Sequence, residues 1–203
     1  MRLHRVILLA FLAAPPPSVA QAPADPSGWR LGGGVEALRF GQVALSDAVP
    51  GVAAEVRPSA RAGAYLSAVR SAGAWRVGLE AGWAGGHLEA GNDVIAVQDR
   101  TAAVTRYRLA VGVGRRIASL GVGAVELTLA PTLDLWKVAG ETRGRAGAEV
   151  RLGVRVPLGG VELENRVGFG LSGNPIEAAD LGDVSDLRGL RTLLVGIALR
   201  LRT

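Results

Sequence analysis

The 203-residue sequence contains no cysteine, which excludes a disulfide framework, a thiolate metal site and a cysteine nucleophile. Its two histidines, His4 and His87, are too few for a multi-histidine metal centre. Lysine occurs once, as Lys137, and aromatics make up only 4 % of residues, although 49 % are apolar and 29 are glycine. An ordinary soluble core of this size carries more Phe, Ile and Met and fewer glycines. After residue 22 no apolar run approaches the roughly 18 residues of a transmembrane helix. The formal charge of +5 rests almost wholly on arginine, two of them near the N-terminus. No nucleic-acid partner is expected from it, because the chain reads as exported.

The N-terminal segment has the order of a secretion address. Arg2 and Arg5 precede an apolar run from Val6 to Ala14, and Ala20-Gln21-Ala22 has the A-x-A form of a cleavage site. The expectation is a signal peptide over residues 1–22 and one domain over residues 23–203.

In that domain apolar residues recur with period two, which is strand patterning. From Arg145 to Leu158, Arg145, Gly147, Glu149, Arg151, Gly153 and Arg155 fall on one face. Ala146, Ala148, Val150, Leu152, Val154, Val156 and Leu158 fall on the other. A helix would mix the two sets, whereas a strand separates them. Trp75–Trp83, Thr105–Gly114, Val125–Leu135 and Val161–Leu171 separate in the same way. Weaker patterns at Trp29–Phe40, Ala60–Val69 and Leu190–Arg202 bring the expected strands to eight, with the facing ambiguous around Arg61 and Tyr65. Connections alternate in length. Long ones cover 41–59, 84–104, 136–144 and 172–189; short ones include the Gly159-Gly160 pair, a tight hairpin signal. Ala90-Gly91-Asn92-Asp93 reads alternatively as the tip of a hairpin that lengthens the third and fourth strands.

Across the five clear strands the apolar face carries no charge. The opposite face carries Arg76, Arg106, Arg108, Arg145, Arg151, Arg155 and Arg166 together with Glu80, Glu126, Asp134, Glu149, Glu162 and Glu164; its other positions are Gly, Ala or Thr. Charges and small residues cannot line an oily cavity, so a soluble ligand-binding barrel does not fit. A membrane barrel does, with an apolar belt towards lipid and a polar lumen. A two-sheet sandwich that buries the apolar face stays open as the alternative. Trp29 and Trp75 stand at strand beginnings, and Trp83 and Trp136 at strand ends. These four are expected as interface aromatics, because indoles prefer the headgroup level.

Together the leader, the eight alternating strands and the alternating short and long connections resemble the small eight-stranded outer-membrane β-barrels, such as the membrane domain of outer membrane protein A. The resemblance covers the whole mature chain. It implies an all-β fold, a closed antiparallel eight-stranded transmembrane up-and-down β-barrel in the bacterial outer membrane, with both termini periplasmic and four loops outside. It also implies outer-membrane lipids and the barrel assembly machinery as partners, and an extracellular ligand for the loops. Members of the family usually end in an aromatic residue, whereas this chain ends Leu201-Arg202-Thr203. No residues remain for the periplasmic domain that some relatives carry.

An eight-stranded barrel has an interior just wide enough for side chains. The near balance of opposite charges therefore points to mutual pairing in a plugged lumen, built from Arg76, Glu80, Arg106, Arg108, Glu126, Asp134, Glu149, Arg151, Arg155, Glu162, Glu164 and Arg166. The alternatives are a gated or small-conductance pore, and an enzyme acting on membrane lipids. Glu162 and Glu164 share a face, but Arg166 beside them favours a structural cluster over paired acid and base. His87 has no partner assignable from sequence. No catalytic residue, cofactor or metal site is expected.

Overall fold

A strand with one apolar and one charged face cannot end in an open sheet edge within lipid, because the edge leaves backbone groups unpaired. The chain removes the edge by closing on itself. The computed structural model describes residues 28–202 except 42, 50–51, 60, 92–95, 139 and 178–183. The expected signal peptide, residues 1–22, and the terminal Thr203 lie outside the described residues.

The strands are β1 (Gly28–Phe40), β2 (Ala44–Val49), β3 (Val52–Pro58), β4 (Arg61–Ala72), β5 (Trp75–Gly91), β6 (Ala96–Leu120), β7 (Gly123–Val138), β8 (Glu141–Leu158), β9 (Val161–Ser172), β10 (Val184–Leu187) and β11 (Leu190–Arg202). Strands β1, β4, β5, β6, β7, β8, β9 and β11 form a ring in which every neighbour is antiparallel. The first and last strands close it, from Arg30 opposite Arg202 to Phe40 opposite Thr192. The architecture is therefore an all-β, closed, up-and-down barrel of eight strands.

Glycines with positive φ, Gly73 (62°), Gly121 (57°) and Gly159 (67°), make the tight turns at one end. The other end differs from the expected simple loops. β2 and β3 form a hairpin, β3 pairs the outer part of β5, and β10 adds to β2. β5 runs on to Gly91 and pairs β6 from Ala96 onward, which agrees with the longer-hairpin reading; Asn92 and Asp93 lie outside the described residues. Beyond the stretch of clear alternation the hydrogen-bonded ladder continues, with Leu88 and Ala90 of β5 packed against buried apolar residues, so the pattern fades while the strand does not.

Burial is inverted relative to a soluble protein. Outward-facing Leu79, Leu129, Val195 and Leu199 are each more than half exposed, while arginines and carboxylates are buried inside the ring. On β4, register with β1 settles the ambiguous facing: Gly34 stands opposite Tyr65, whose ring points inward.

Candidate functional site

The charged residues singled out in the sequence all sit on ring strands, and all turn into the lumen except Arg145, which reaches Glu177 in the segment after β9 at the mouth. They stack in layers. Nearest the tight turns, Arg76 of β5 donates to Glu162 of β9 at 2.8 Å, and Arg155 of β8 lies 3.0 Å from Glu126 of β7 and 3.2 Å from Glu162. Arg30 and Arg76 both donate to Ser71 Oγ, at 2.7 and 3.1 Å. Arg200 of β11 pairs with Glu164.

At mid-height Glu80 of β5 receives Arg151 at 2.7 Å and Arg166 at 2.8 Å. Glu36 of β1 receives Arg166 at 2.7 Å and Arg108 at 3.0 Å, and Arg108 also reaches Glu149 at 3.0 Å. The Arg166 guanidinium lies over the Tyr65 ring, 3.7 Å from its centroid. Each carboxylate here is shared by arginines from different strands, so the network ties the wall across its diameter. Planar guanidinium forks suit such sharing.

Three members escaped the expected set: Arg30, Glu36 and Arg200, on the first and last strands. Period two already put them on the polar face. The patterns of those strands are weaker, so their charges drew less weight.

One layer higher, Arg106 holds Asp134 through two hydrogen bonds of 2.9 Å. Its guanidinium also lies over the rings of Trp136 and Phe40, 5.5 and 5.9 Å from their centroids. Trp136 corrects the expectation of an interface aromatic: only 1 % exposed, it packs inside the barrel edge-on to Phe40. The physical reason is parity. Leu133 and Leu135 face outward, so the next residue faces in.

Above this point most of the buried side chains are apolar. Leu38, Phe40, Val43, Val104, Trp136, Val138, Leu190 and Leu194 form a buried cluster joined by Ile176, from the segment after β9. That segment is tied down: Asn174 Nδ2 donates to the Val43 carbonyl at 2.8 Å, Arg143 to the Pro175 carbonyl at 3.1 Å, and Arg145 to Glu177 at 2.7 Å. Sequence reasoning held that the inward face could not be oily. That holds for the lower lumen and fails for the mouth, where residues at the ends of strands and one loop supply the apolar atoms.

Trp29, Trp75 and Trp83 lie on the outer wall, each about half exposed. Trp83 stands opposite outward Tyr107 near the loop end, and Trp29 and Trp75 lie near the tight turns. The His87 backbone N–H donates to Ser59 Oγ at 3.2 Å, and the same oxygen accepts from Arg61 Nε at 3.1 Å. These bonds use the serine oxygen as an acceptor for a strand and an arginine, which is not a nucleophile–base couple.

No protein-family model matches the sequence, and no curated protein matches it. Solved structures do. Neisserial surface protein A aligns with a TM-score of 0.56 at 11 % identity, over 87 % of this chain and 98 % of its own. OprG, an outer membrane protein of Pseudomonas aeruginosa, aligns with a TM-score of 0.56 at 8 % identity, over 86 % and 96 %. This is the fold of the small outer-membrane barrels. Within that fold, an ion-paired network occupies the lower lumen and an apolar cluster the mouth.

Proposed function

We propose that the chain is an integral protein of the bacterial outer membrane, exported with residues 1–22 removed, whose barrel does not conduct and whose outer strands and loops form a recognition surface. The ion-paired lumen and the apolar cluster at its mouth carry this reading. A solute would have to part the Arg106–Asp134 fork and displace the cap around Trp136 and Ile176, then break pairs shared across the barrel by Glu36, Glu80 and Glu149. Parting one buried pair leaves a charge without its partner, at a cost of about 3–5 kcal/mol. The middle of the outer wall, between the arginines near its two ends, carries no charge, which supports the location, because Arg or Lys at the bilayer midplane costs about 2–4 kcal/mol. Both termini and the tight turns then face the periplasm, and the β2–β3 hairpin with the outer parts of β5 and β6 faces outside.

Planar-bilayer recording of the refolded protein tests the reading directly. The expected result is a silent membrane at voltages where control porins open. Reproducible single-channel steps that change size in Arg151→Gln or Glu164→Gln would replace it with the pore reading.

A further inference from the structure

The outer wall is not uniform around the barrel. Near the tight turns, strands β1, β4, β5 and β6 bring two tryptophans and two arginines together on the outward face. Trp29 stands directly opposite Arg70, and Trp75 directly opposite Arg115. Directly opposed residues of an antiparallel pair share a face, and all four are exposed there. The Arg115 guanidinium lies over the Trp75 ring, 5.4 Å from its centroid. Arg70, paired with Val77, falls diagonally beside Trp75. Among the described residues neither arginine has a carboxylate within ion-pair distance, although every acid of the lower lumen lies just across the wall.

Immediately above this row, on the same strands, the wall is hollowed. Leu31, Ala68, Leu79 and Val111 form one cross-strand row, and Leu66, Ala81 and Leu109 the next. Large side chains flank the small Ala68 and Ala81, and the resulting apolar depression is open to the outside and extends to Pro131 and Leu133 of β7. An apolar slot that ends in two cations and two indoles, at the depth of the headgroups, has the polarity profile of a lipid with an anionic head.

We infer that this sector is a binding site for an anionic glycerophospholipid of the periplasmic leaflet, its acyl chain in the groove and its phosphate between Arg70 and Arg115. Trp29 and Trp75 bracket the glycerol region, where an apolar ring body and a wet N–H are both accommodated. Arg115 is held over Trp75 before the lipid arrives, so part of its ordering is already in place. The site rests on the proposed membrane location and orientation. It is distinct from the lumen, which contributes no side chain to the headgroup cluster.

Native mass spectrometry of the full refolded barrel in detergent, titrated with phosphatidylglycerol, phosphatidylcholine or inorganic phosphate, tests it. The expected result is preferential retention of one phosphatidylglycerol by about thirtyfold, the equivalent of about 1 kcal/mol for each arginine near an anionic surface. Inorganic phosphate should not compete, since it lacks the chain that fills the groove. Arg70→Gln/Arg115→Gln should abolish the preference, and Ala81→Trp should weaken retention with the arginines intact. The rim control Arg39→Gln/Arg191→Gln, at the loop end of the same wall, should leave the preference unchanged. Equal retention of both lipids, or a preference that survives Arg70→Gln/Arg115→Gln or falls equally in the rim control, overturns the site. Heat-dependent gel mobility of every variant reports folding separately. A protein without that shift, soluble in the absence of detergent, would instead overturn the membrane reading.

Discussion

Asp134 has no exposed side-chain surface, and both of its oxygens are taken by Arg106. Asp134→Ala leaves that guanidinium buried against two aromatic rings with only the 3.5 Å approach of Glu149 in its place. The expected loss is about 3–5 kcal/mol of unfolding free energy, read from urea titrations in lipid vesicles. Asp134→Ala/Arg106→Met should regain most of it, because a pair of apolar groups costs less to bury than one orphaned charge. If the double variant is no more stable than the single one, the fork is not what holds this layer. The same few residues show what the sequence disclosed. Alternation on β7 assigned Asp134 to the lumen, and by the same count assigns Trp136 there too. The interface reading of Trp136 gave weight to residue type and strand end, where parity was the stronger physical signal.

For whole strands, legibility followed the contrast between faces. β8 and β9 alternate charges with Val and Leu, so their span and facing could be read without coordinates. β4 carries Ala62, Ala64 and Ala68 on its outer face, with Tyr65, Val69 and two serines inside, and that mixture has no clear polarity. Its facing is fixed by a partner that sequence patterning cannot see: Gly34 of β1, which leaves room for the Tyr65 ring. A Cβ at Gly34 would stand 2.7 Å from Tyr65 Cζ and collide with the Ile197 carbonyl. Gly34→Ala therefore forces Tyr65 off its place beneath Arg166, and the expected cost is about 1–3 kcal/mol. Gly28→Ala, with nothing within 4 Å, should be silent in the same vesicle titration. Equal effects of the two would mean that backbone freedom rather than close approach sets the requirement. β2, β3 and β10 were not foreseen because no apolar face distinguishes them; their existence depends on the edge that β5 offers beyond its ladder with β4.

For the molecule as a whole, three tryptophans outside and one inside give a direct readout of which surface meets lipid. Trp75 and Trp83 are eight residues apart on β5, about 26 Å along a strand that rises roughly 3.3 Å per residue. A tilt of about 35–45° reduces this to a height of roughly 20 Å, comparable to an apolar band about 25 Å tall between its aromatic girdles. Single-tryptophan proteins, with the other three changed to Phe, can be placed in vesicles whose lipids carry bromine at a chosen depth. Trp29, Trp75 and Trp83 should be quenched, and more strongly by bromine near the ester groups than by bromine near the chain ends. Trp136 should be quenched by neither, since the wall of β6, β7 and β8 and the cap around Ile176 separate it from lipid. A sandwich that buried the apolar face would shield Trp29, Trp75 and Trp83 from lipid bromine. Quenching of Trp136 equal to that of Trp83 would mean that the lumen opens sideways to the membrane. The inverted burial of the molecule thus becomes a measured contrast between two residues at similar heights, one on each side of a wall a single strand thick.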